Sequence, residues 1–264
     1  MKPTLDFPDL LRLIDERAIA FRAAVAAAPS LDVQVPTCPE WTLFDLAQHL
    51  GVGRRAWAAT VAAGPDATAK AEPQGDLVAP REREAMLAWL AESTQLLLDE
   101  LRAAGPDRGC WTWWGTSQSP ETCRAVARHQ LQEIAVHTYD AQLVAGAPQP
   151  LPDEVALDGV EEFLFTICTT TVAWPHETAA VDYHVTEGYS WRNWLSADGA
   201  RAALLPAPGT ATAADENPDS AGASARGTAS DLVLVFYDRI PLNSLKLDGN
   251  RRLFERLVEW DPER

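Results

Sequence analysis

Apolar residues recur at three- and four-residue intervals through most of the first half of the chain, which predicts a run of amphipathic helices. In the first of these, from Asp6 to about Ala28, the apolar positions form one stripe that stops at Pro29. The same spacing predicts three more helices, at residues 42–61, 80–104 and 121–144. Four helices of about 20 residues joined by loops predict a four-helix bundle, in whose core facing side chains can build a metal site.

The pattern changes after the proline-rich segment from Pro148 to Pro152. A helix is predicted next, at 156–172, followed by short strands at 181–186, 190–195 and 200–205. The tract 206–227 is rich in Ala, Gly, Pro, Ser and Asp and predicts a mobile loop. The remaining patterns predict a helix at 231–239, a strand at 245–249 and a helix at 251–258. We therefore predict an α+β fold, with a four-helix bundle at residues 1–147 and a smaller C-terminal α/β domain at residues 148–264.

Composition narrows the classes of function. The chain has 264 residues, 47% hydrophobic and 23% charged, a balance typical of soluble globular proteins. No apolar stretch approaches the roughly 20 residues that span a bilayer, and the N-terminus lacks the blocks of a secretion signal. The net charge of −16 repels nucleic acids and anionic lipids. We expect a cytoplasmic protein, a monomer or weak dimer, that binds neither nucleic acid nor membrane.

The cysteines do not suggest a metal or disulfide framework. Cys38, Cys110, Cys123 and Cys168 are scattered and form no Cys-x-x-Cys pair. This spacing is typical of neither a zinc ribbon nor a set of disulfides, and it fits a reducing compartment.

The fourth predicted helix carries two residues suited to binding a metal. Glu133 and His137 stand four residues apart, so a helix places them side by side, about 5–6 Å apart at Cβ. A carboxylate oxygen and an imidazole nitrogen at that separation can share a divalent ion at about 2 Å each. The same spacing also suits an ordinary hydrogen-bonded pair, so it leaves both interpretations open.

His49 is the best candidate for a third ligand among the five histidines. The pattern places it on the inward side of the second helix with Leu46, Ala47 and Leu50, where an isolated polar ring is costly to bury. A metal would satisfy the ring, and so would a hydrogen-bond partner in the core. Two histidines and one carboxylate leave coordination positions open, which is typical of catalytic sites.

Two segments resemble the motifs of one known family. Residues 35–51, VPTCPEWTLFDLAQHLG, are similar to the opening motif of the mycothiol-dependent maleylpyruvate isomerase family, and residues 133–142, EIAVHTYDAQ, are similar to its second motif. The resemblance implies a bundle of the DinB type followed by a C-terminal α/β domain. It also implies a metal, usually zinc, held by His49, Glu133 and His137, with mycothiol as the thiol cosubstrate.

A looser resemblance lies at residues 227–241, GTASDLVLVFYDRIP. The family pattern implies that Arg239 is functional, because its guanidinium can pair bidentately with a carboxylate of the substrate or cofactor. The alternative is an arginine that closes the C-terminus of a helix, where it is favourable to the helix dipole. The long tract 206–227 departs from the compact pattern of the family.

The resemblance implies a reaction in which a thiol, deprotonated with the help of the metal, adds to an electrophilic small molecule. Addition followed by bond rotation and expulsion gives cis–trans isomerisation, and addition without expulsion gives an S-conjugate. We expect the second outcome, a mycothiol S-transferase, because nothing in the sequence identifies a maleylpyruvate pocket. A maleylpyruvate isomerase is one alternative, and a non-catalytic bundle that binds a ligand or partner protein is the other.

Three further features lie within or between the two motifs. Asp140 either accepts a hydrogen bond from the second nitrogen of the neighbouring histidine or is a surface carboxylate. Cys38 is either a nucleophile or a buried thiol that anchors its loop, and no base is identifiable beside it. A cluster of tryptophans before the fourth helix either walls the mouth of a pocket or packs into the core, and its members are Trp111, Trp113 and Trp114.

Overall fold

The computed structural model describes residues 4–73, 75–206 and 221–260. The chain divides into two compact units. The first, which we call the bundle unit, comprises Leu5–Trp113 and Glu121–Val155. The second, the sheet unit, comprises Trp114–Pro120 and the described residues from Ala156 onward, together with Thr4. The domain boundary expected after residue 147 stays a prediction.

The bundle unit contains four long helices, close to the predicted ones: α1 (Phe7–Ala27), α2 (Leu43–Ala63), α3 (Arg83–Ala104) and α4 (Cys123–Val144). Their apolar stripes supply the buried core, which includes Leu10, Ile14, Leu46, Leu97 and Leu131. Between α1 and α2, an antiparallel hairpin of β1 (Gln34–Val35) and β2 (Cys38–Thr42) occupies a segment for which no regular element is predicted.

Local sequence signals set the ends of these helices. Thr42 and Asp45 form a capping box at the start of α2, which satisfies backbone N–H groups that have no partner inside the helix. Thr122 caps α4 through its side chain. Gly64 and Gly105 follow α2 and α3 with φ of 79° and 76°, a conformation that glycine adopts at low cost.

The sheet unit is built on a five-stranded mixed sheet. Its strands are β3 (Ala179–Val185), β4 (Ser190–Ser196), β5 (Gly199–Leu204), β6 (Ala223–Gly227) and β7 (Lys246–Gly249), in the order β5-β4-β3-β6-β7. Neighbouring strands run antiparallel except β3 and β6, which are parallel. Three helices belong to this half of the chain: α5 (Asp153–Thr166), α6 (Ala229–Phe236) and α7 (Arg252–Glu259).

Two predictions for the sheet unit are wrong in part. The predicted loop at 206–227 includes residues 207–220, which lie outside the described residues, but Ala223–Gly227 forms the strand β6. Alanine and serine have a weak propensity for strands. Here the pairing with β3 and the burial of Ala223 and Ala225 outweigh that weak propensity. The helix predicted to continue to residue 172 ends at Thr166, before a β-branched run of threonines that disfavours a helix.

No helix in the described part of the chain combines the length and the apolar character that crossing a membrane requires.

Candidate metal centre

Three side chains from two helices of the bundle unit converge at one point. His49 comes from α2, and Glu133 and His137 come from α4. Glu133 Oε1 lies 2.7 Å from His49 Nε2 and 3.6 Å from His137 Nε2. Within residues 4–73, 75–206 and 221–260, this is the only group of three or more His, Cys, Asp or Glu whose ligand atoms all lie within 4.8 Å of one another. The structure thus brings together all three residues that were predicted as metal ligands.

The spacing of these atoms suits a zinc ion. Two ligand atoms about 2.0–2.1 Å from one tetrahedral ion are about 3.3 Å apart. The observed separations of 2.7 Å and 3.6 Å lie on either side of that value, so small side-chain rotations would bring the atoms to ligating positions. Two imidazole nitrogens and one carboxylate oxygen are a donor set that zinc favours. The residues present therefore fit a divalent metal.

Asp140 holds the ring of His137 in place. His137 Nδ1 lies 2.7 Å from Asp140 Oδ2, and the hydroxyl of Thr37 donates to Asp140 Oδ1 at 2.6 Å. Asp140 is fully buried, so this carboxylate is not the surface group of the alternative interpretation. The contact assigns the proton to Nδ1 and leaves Nε2 facing Glu133, which is the arrangement of a carboxylate–histidine–zinc triad.

Cys38 lies beside the same carboxylate. Its Sγ donates to Asp140 Oδ2 at 3.9 Å, so the carboxylate that contacts His137 also contacts this thiol. Thr37 lies at the turn between β1 and β2, directly before Cys38, the first residue of β2. The hairpin therefore places a hydroxyl and a thiol next to the carboxylate that orients His137.

The electrostatics of the cluster set the protonation states of Glu133 and His137. Burial alone would raise the pKa of Glu133, but its hydrogen bonds with His137 and His49 outweigh burial and hold that pKa well below the usual range. Burial would lower the pKa of His137, yet its contacts with Asp140 and Glu133 raise that pKa to about 9. Glu133 is thus a carboxylate at neutral pH, whereas His137 must lose a proton before Nε2 can bind a metal.

A buried cation lies within electrostatic reach of Glu133. Arg54, on α2, is 3% exposed, and its Nη1 donates to the hydroxyl of Thr94 on α3. Desolvation lowers its pKa to about 10, with Arg22 also lowering it and Glu133 raising it. Arg54 therefore places one positive charge within electrostatic reach of the Glu133 carboxylate even without a metal.

The cluster is open to solvent on the side of α2. The side chain of His49 is 39% exposed, that of Glu133 is 27% exposed and that of His137 is 9% exposed. His49 is therefore on the side of α2 that faces α4, as predicted, but its ring is more exposed than a core position implies. Leu46, Ala47 and Leu50 are buried as predicted, but the imidazole reaches the edge of the helix interface, where Glu133 meets it. An open edge gives a small molecule access to the candidate site.

Trp41 lines this opening, a role that the sequence did not suggest. Its ring on β2 lies with its centroid 4.7 Å from that of His49 and 6.1 Å from that of His137. The sequence indicated Trp41 only through its position inside the first motif. The orientation of its ring depends on the hairpin, which was not predicted.

The tryptophans before α4 have different environments. Trp114 is 2% exposed and belongs to the sheet unit, so it has the core-packing role of the two alternatives. Trp113 belongs to the bundle unit, is 40% exposed and meets the ring of His129 with a centroid distance of 5.6 Å. Trp111 is partly buried. Of the three, Trp113 is the one whose exposure fits the wall of a pocket mouth.

Arg239 lies in the sheet unit, three residues after the end of α6. Its backbone N–H donates to the carbonyl of Leu234 at 2.7 Å, and its Nη1 donates to the carbonyl of Tyr237 at 2.5 Å. The predicted helix at 231–239 is therefore too long, since Asp238 adopts a φ of 58° and ends it. The contact with Tyr237 is the one expected of an arginine that closes a helix, and the anion-binding role of Arg239 stays a prediction.

Comparison with known proteins agrees with this description. Residues 11–142 match the family model described as the mycothiol maleylpyruvate isomerase N-terminal domain, and residues 154–256 match the model described as the MDMPI C-terminal domain. One similar solved structure is the crystal structure of a histidine-to-alanine mutant of mycothiol-dependent maleylpyruvate isomerase. It has a TM-score of 0.57 and 11% sequence identity, and the match covers 92% of this chain and 93% of that chain. No curated protein sequence matches the chain. The structural likeness confirms the predicted fold class, an N-terminal helical bundle followed by a C-terminal α/β domain.

Proposed function

This chain belongs to the mycothiol maleylpyruvate isomerase family, and from that premise we propose that it is a metal-dependent enzyme that uses mycothiol to act on an electrophilic small molecule. The proposed ligands of the metal, zinc or another divalent ion, are His49, Glu133 and His137. One observation carries the proposal: three ligand atoms of the right chemistry lie within 4.8 Å of one another at an edge that solvent reaches.

A divalent ion held by these three residues would supply Lewis acidity that lowers the pKa of a thiol enough for it to be deprotonated at neutral pH. The residues of the chain prepare that site. Asp140 and Thr37 orient His137 so that Nε2 is presented to the centre, and the low pKa of Glu133 keeps its carboxylate free of a competing proton. His49, half-exposed beside Trp41, forms the edge at which thiol and electrophile enter.

We propose isomerisation as the outcome. The thiolate forms a C–S bond with one carbon of a conjugated double bond, and the π electrons move to the neighbouring carbonyl as an enolate. Rotation about the new single bond is followed by re-formation of the double bond and expulsion of the thiolate. The family description and the similar structure both name a maleylpyruvate isomerase, which supports this outcome over the S-transferase expected from the sequence.

Arg239 is the proposed anchor for a carboxylate of the substrate, through two parallel N–H···O bonds. Its support is the family pattern at residues 227–241. We also propose that the protein works in the cytoplasm as a monomer or weak dimer, and that its partners are small molecules.

The test incubates the zinc-loaded protein with mycothiol and maleylpyruvate and follows conversion to the trans isomer. We expect turnover that needs both zinc and thiol and that is lost in Glu133→Gln. Formation of an S-conjugate from monochlorobimane without isomerisation would identify a transferase. Zinc binding with neither activity would identify a non-catalytic binder.

A further inference from the structure

The two helices that carry the candidate ligands continue side by side beyond them. On α2, Gly53 and Trp57 follow His49 at four-residue intervals, so the three share one face of the helix. On α4, His129 precedes Glu133 by the same interval. The two rows meet at both ends, where His49 Nε2 lies 2.7 Å from Glu133 Oε1 and the ring centroids of Trp57 and His129 are 6.2 Å apart.

Gly53 lies on α2 between these two contacts, and the position that its side chain would take is open. A Cβ built on Gly53 would have no heavy atom within 4 Å. A Cβ on Gly51, two residues earlier, would lie 1.9 Å from a ring carbon of the buried Trp89. The absence of a side chain at Gly53 therefore leaves room one helical turn, about 5.4 Å, from His49.

Three rings cluster beyond Gly53, one helical turn further from His49, and we call them the aromatic wall: Trp57, Trp113 and His129. Both indoles meet the imidazole edge to face, with interplanar angles of 65° for Trp57 and 75° for Trp113. Trp57 is buried and Trp113 is 40% exposed, so the wall runs from the bundle interior to its surface. Aromatic faces and edges of this kind attract planar rings in stacked or edge-to-face contact.

We propose that the space over Gly53, together with the aromatic wall, binds the planar conjugated or aromatic part of the electrophile. This inference rests on the proposed function and specifies its substrate class. A carbon that reacts with a sulfur held at the metal cluster would approach it to about 3–3.5 Å. A planar group attached to that carbon would then lie beside the next turn of α2, which carries Gly53. The wall would then hold the reacting double bond in line with the thiolate.

The test uses cobalt in place of zinc, because a thiolate bound to cobalt gives a charge-transfer absorption band. Benzyl mercaptan imitates the sulfur and planar group of an S-conjugate, and ethanethiol imitates the sulfur alone. We expect Gly53→Leu to weaken benzyl mercaptan about tenfold and ethanethiol less than about twofold, because the leucine fills the space. Gly53→Ala should give an intermediate effect. Comparing the ratio of the two dissociation constants between proteins cancels the different intrinsic affinities of the thiols for the metal.

A second pair of variants tests the wall itself. Trp113→Ala should weaken benzyl mercaptan about threefold or more, since it removes an aromatic contact. Leu96→Ala is the matched control, because Leu96 on α3 is also 40% exposed and lies outside the wall. It should leave both dissociation constants unchanged.

The failure of this inference is distinguishable from failure of the proposed function. If ethanethiol binds cobalt and the ratio of dissociation constants is the same in wild type and Gly53→Leu, the inference is overturned while the metal site stands. If the protein binds no cobalt or no thiol, the proposed function fails. The space is then tested in metal-free protein by saturation-transfer NMR with benzyl alcohol. A signal that disappears in Gly53→Leu supports the inference, and an absent or unchanged signal overturns it.

Discussion

Replacing Asp140 by asparagine tests whether this carboxylate prepares His137 to bind a metal. The side chain keeps its shape, and its amide oxygen can still accept from Nδ1 of the imidazole, but the negative charge is lost. A hydrogen bond to a charged group contributes about 1.5–3 kcal/mol, and one between neutral groups about 0.5–1.5 kcal/mol. For the 2.7 Å contact of a fully buried carboxylate we take a difference of about 1.4 kcal/mol, which is about tenfold in zinc affinity.

An opposing effect fixes the conditions of the assay. Asp140 is one of the groups that raise the pKa of His137 to about 9 against the lowering effect of burial. Its loss makes His137 easier to deprotonate, which reduces competition between proton and metal. At about pH 9 the wild-type imidazole is half protonated, so this opposing effect is at most about twofold. Zinc affinity is therefore measured at that pH, by competition with a chromogenic chelator.

Two further variants complete the experiment. Asp140→Ala also leaves Thr37 and the imidazole without an acceptor, and it should lose about 100-fold in zinc affinity. Asp45→Asn is the control, because Asp45 accepts from the backbone N–H of Thr42 in the capping box of α2 and contacts no ligand. It should cost about 1 kcal/mol of unfolding free energy and leave zinc affinity within about twofold. Equal affinity for zinc in Asp140→Asn and wild type at pH 9 would refute the reasoning.

Three other predictions concern stability and pH. Gly51→Ala should be less stable than Gly53→Ala by about 1–3 kcal/mol in urea denaturation, since both gain helix propensity but only the first forces an atom into a buried indole; equal stabilities would contradict the packing at Gly51. Zinc affinity should rise with pH and level off above about pH 9, because the raised pKa of His137 makes the proton a competitor below it; a flat profile from pH 6 to 9 would refute this. Asp182→Asn should lose about 3–5 kcal/mol, as Asp182 and Arg192 form a buried bidentate pair at 2.6 Å and 2.8 Å; thermal melting that is unchanged would contradict it.

The parts of this protein that depend on one helix at a time were predictable. The apolar periods gave α1 to α4 to within about three residues, and four-residue spacing placed Glu133 beside His137. Features that depend on pairing between elements were not. The hairpin β1–β2 is short and contains Pro36 and Pro39, and β6 consists largely of small residues with weak strand preference.

The same distinction applies to the candidate site. The first motif identified His49 as a candidate ligand. The exposure of its ring depends on how α2 packs against α4, which the pattern of a single helix does not contain. The contact between Trp57 and His129 has the same origin. Thr37 reaches Asp140 only because a hairpin turns its loop toward α4, so its role became visible with the structure.

The zinc content of the purified, zinc-reconstituted protein tests the central claim most directly. We predict about one zinc per chain in wild type and less than about a tenth of that in Glu133→Gln and in His49→Ala, because each variant removes one of three ligands. His129→Ala, one turn before Glu133 on the same helix, should keep the wild-type content. No zinc in wild type, or equal zinc in wild type and Glu133→Gln, would contradict the account.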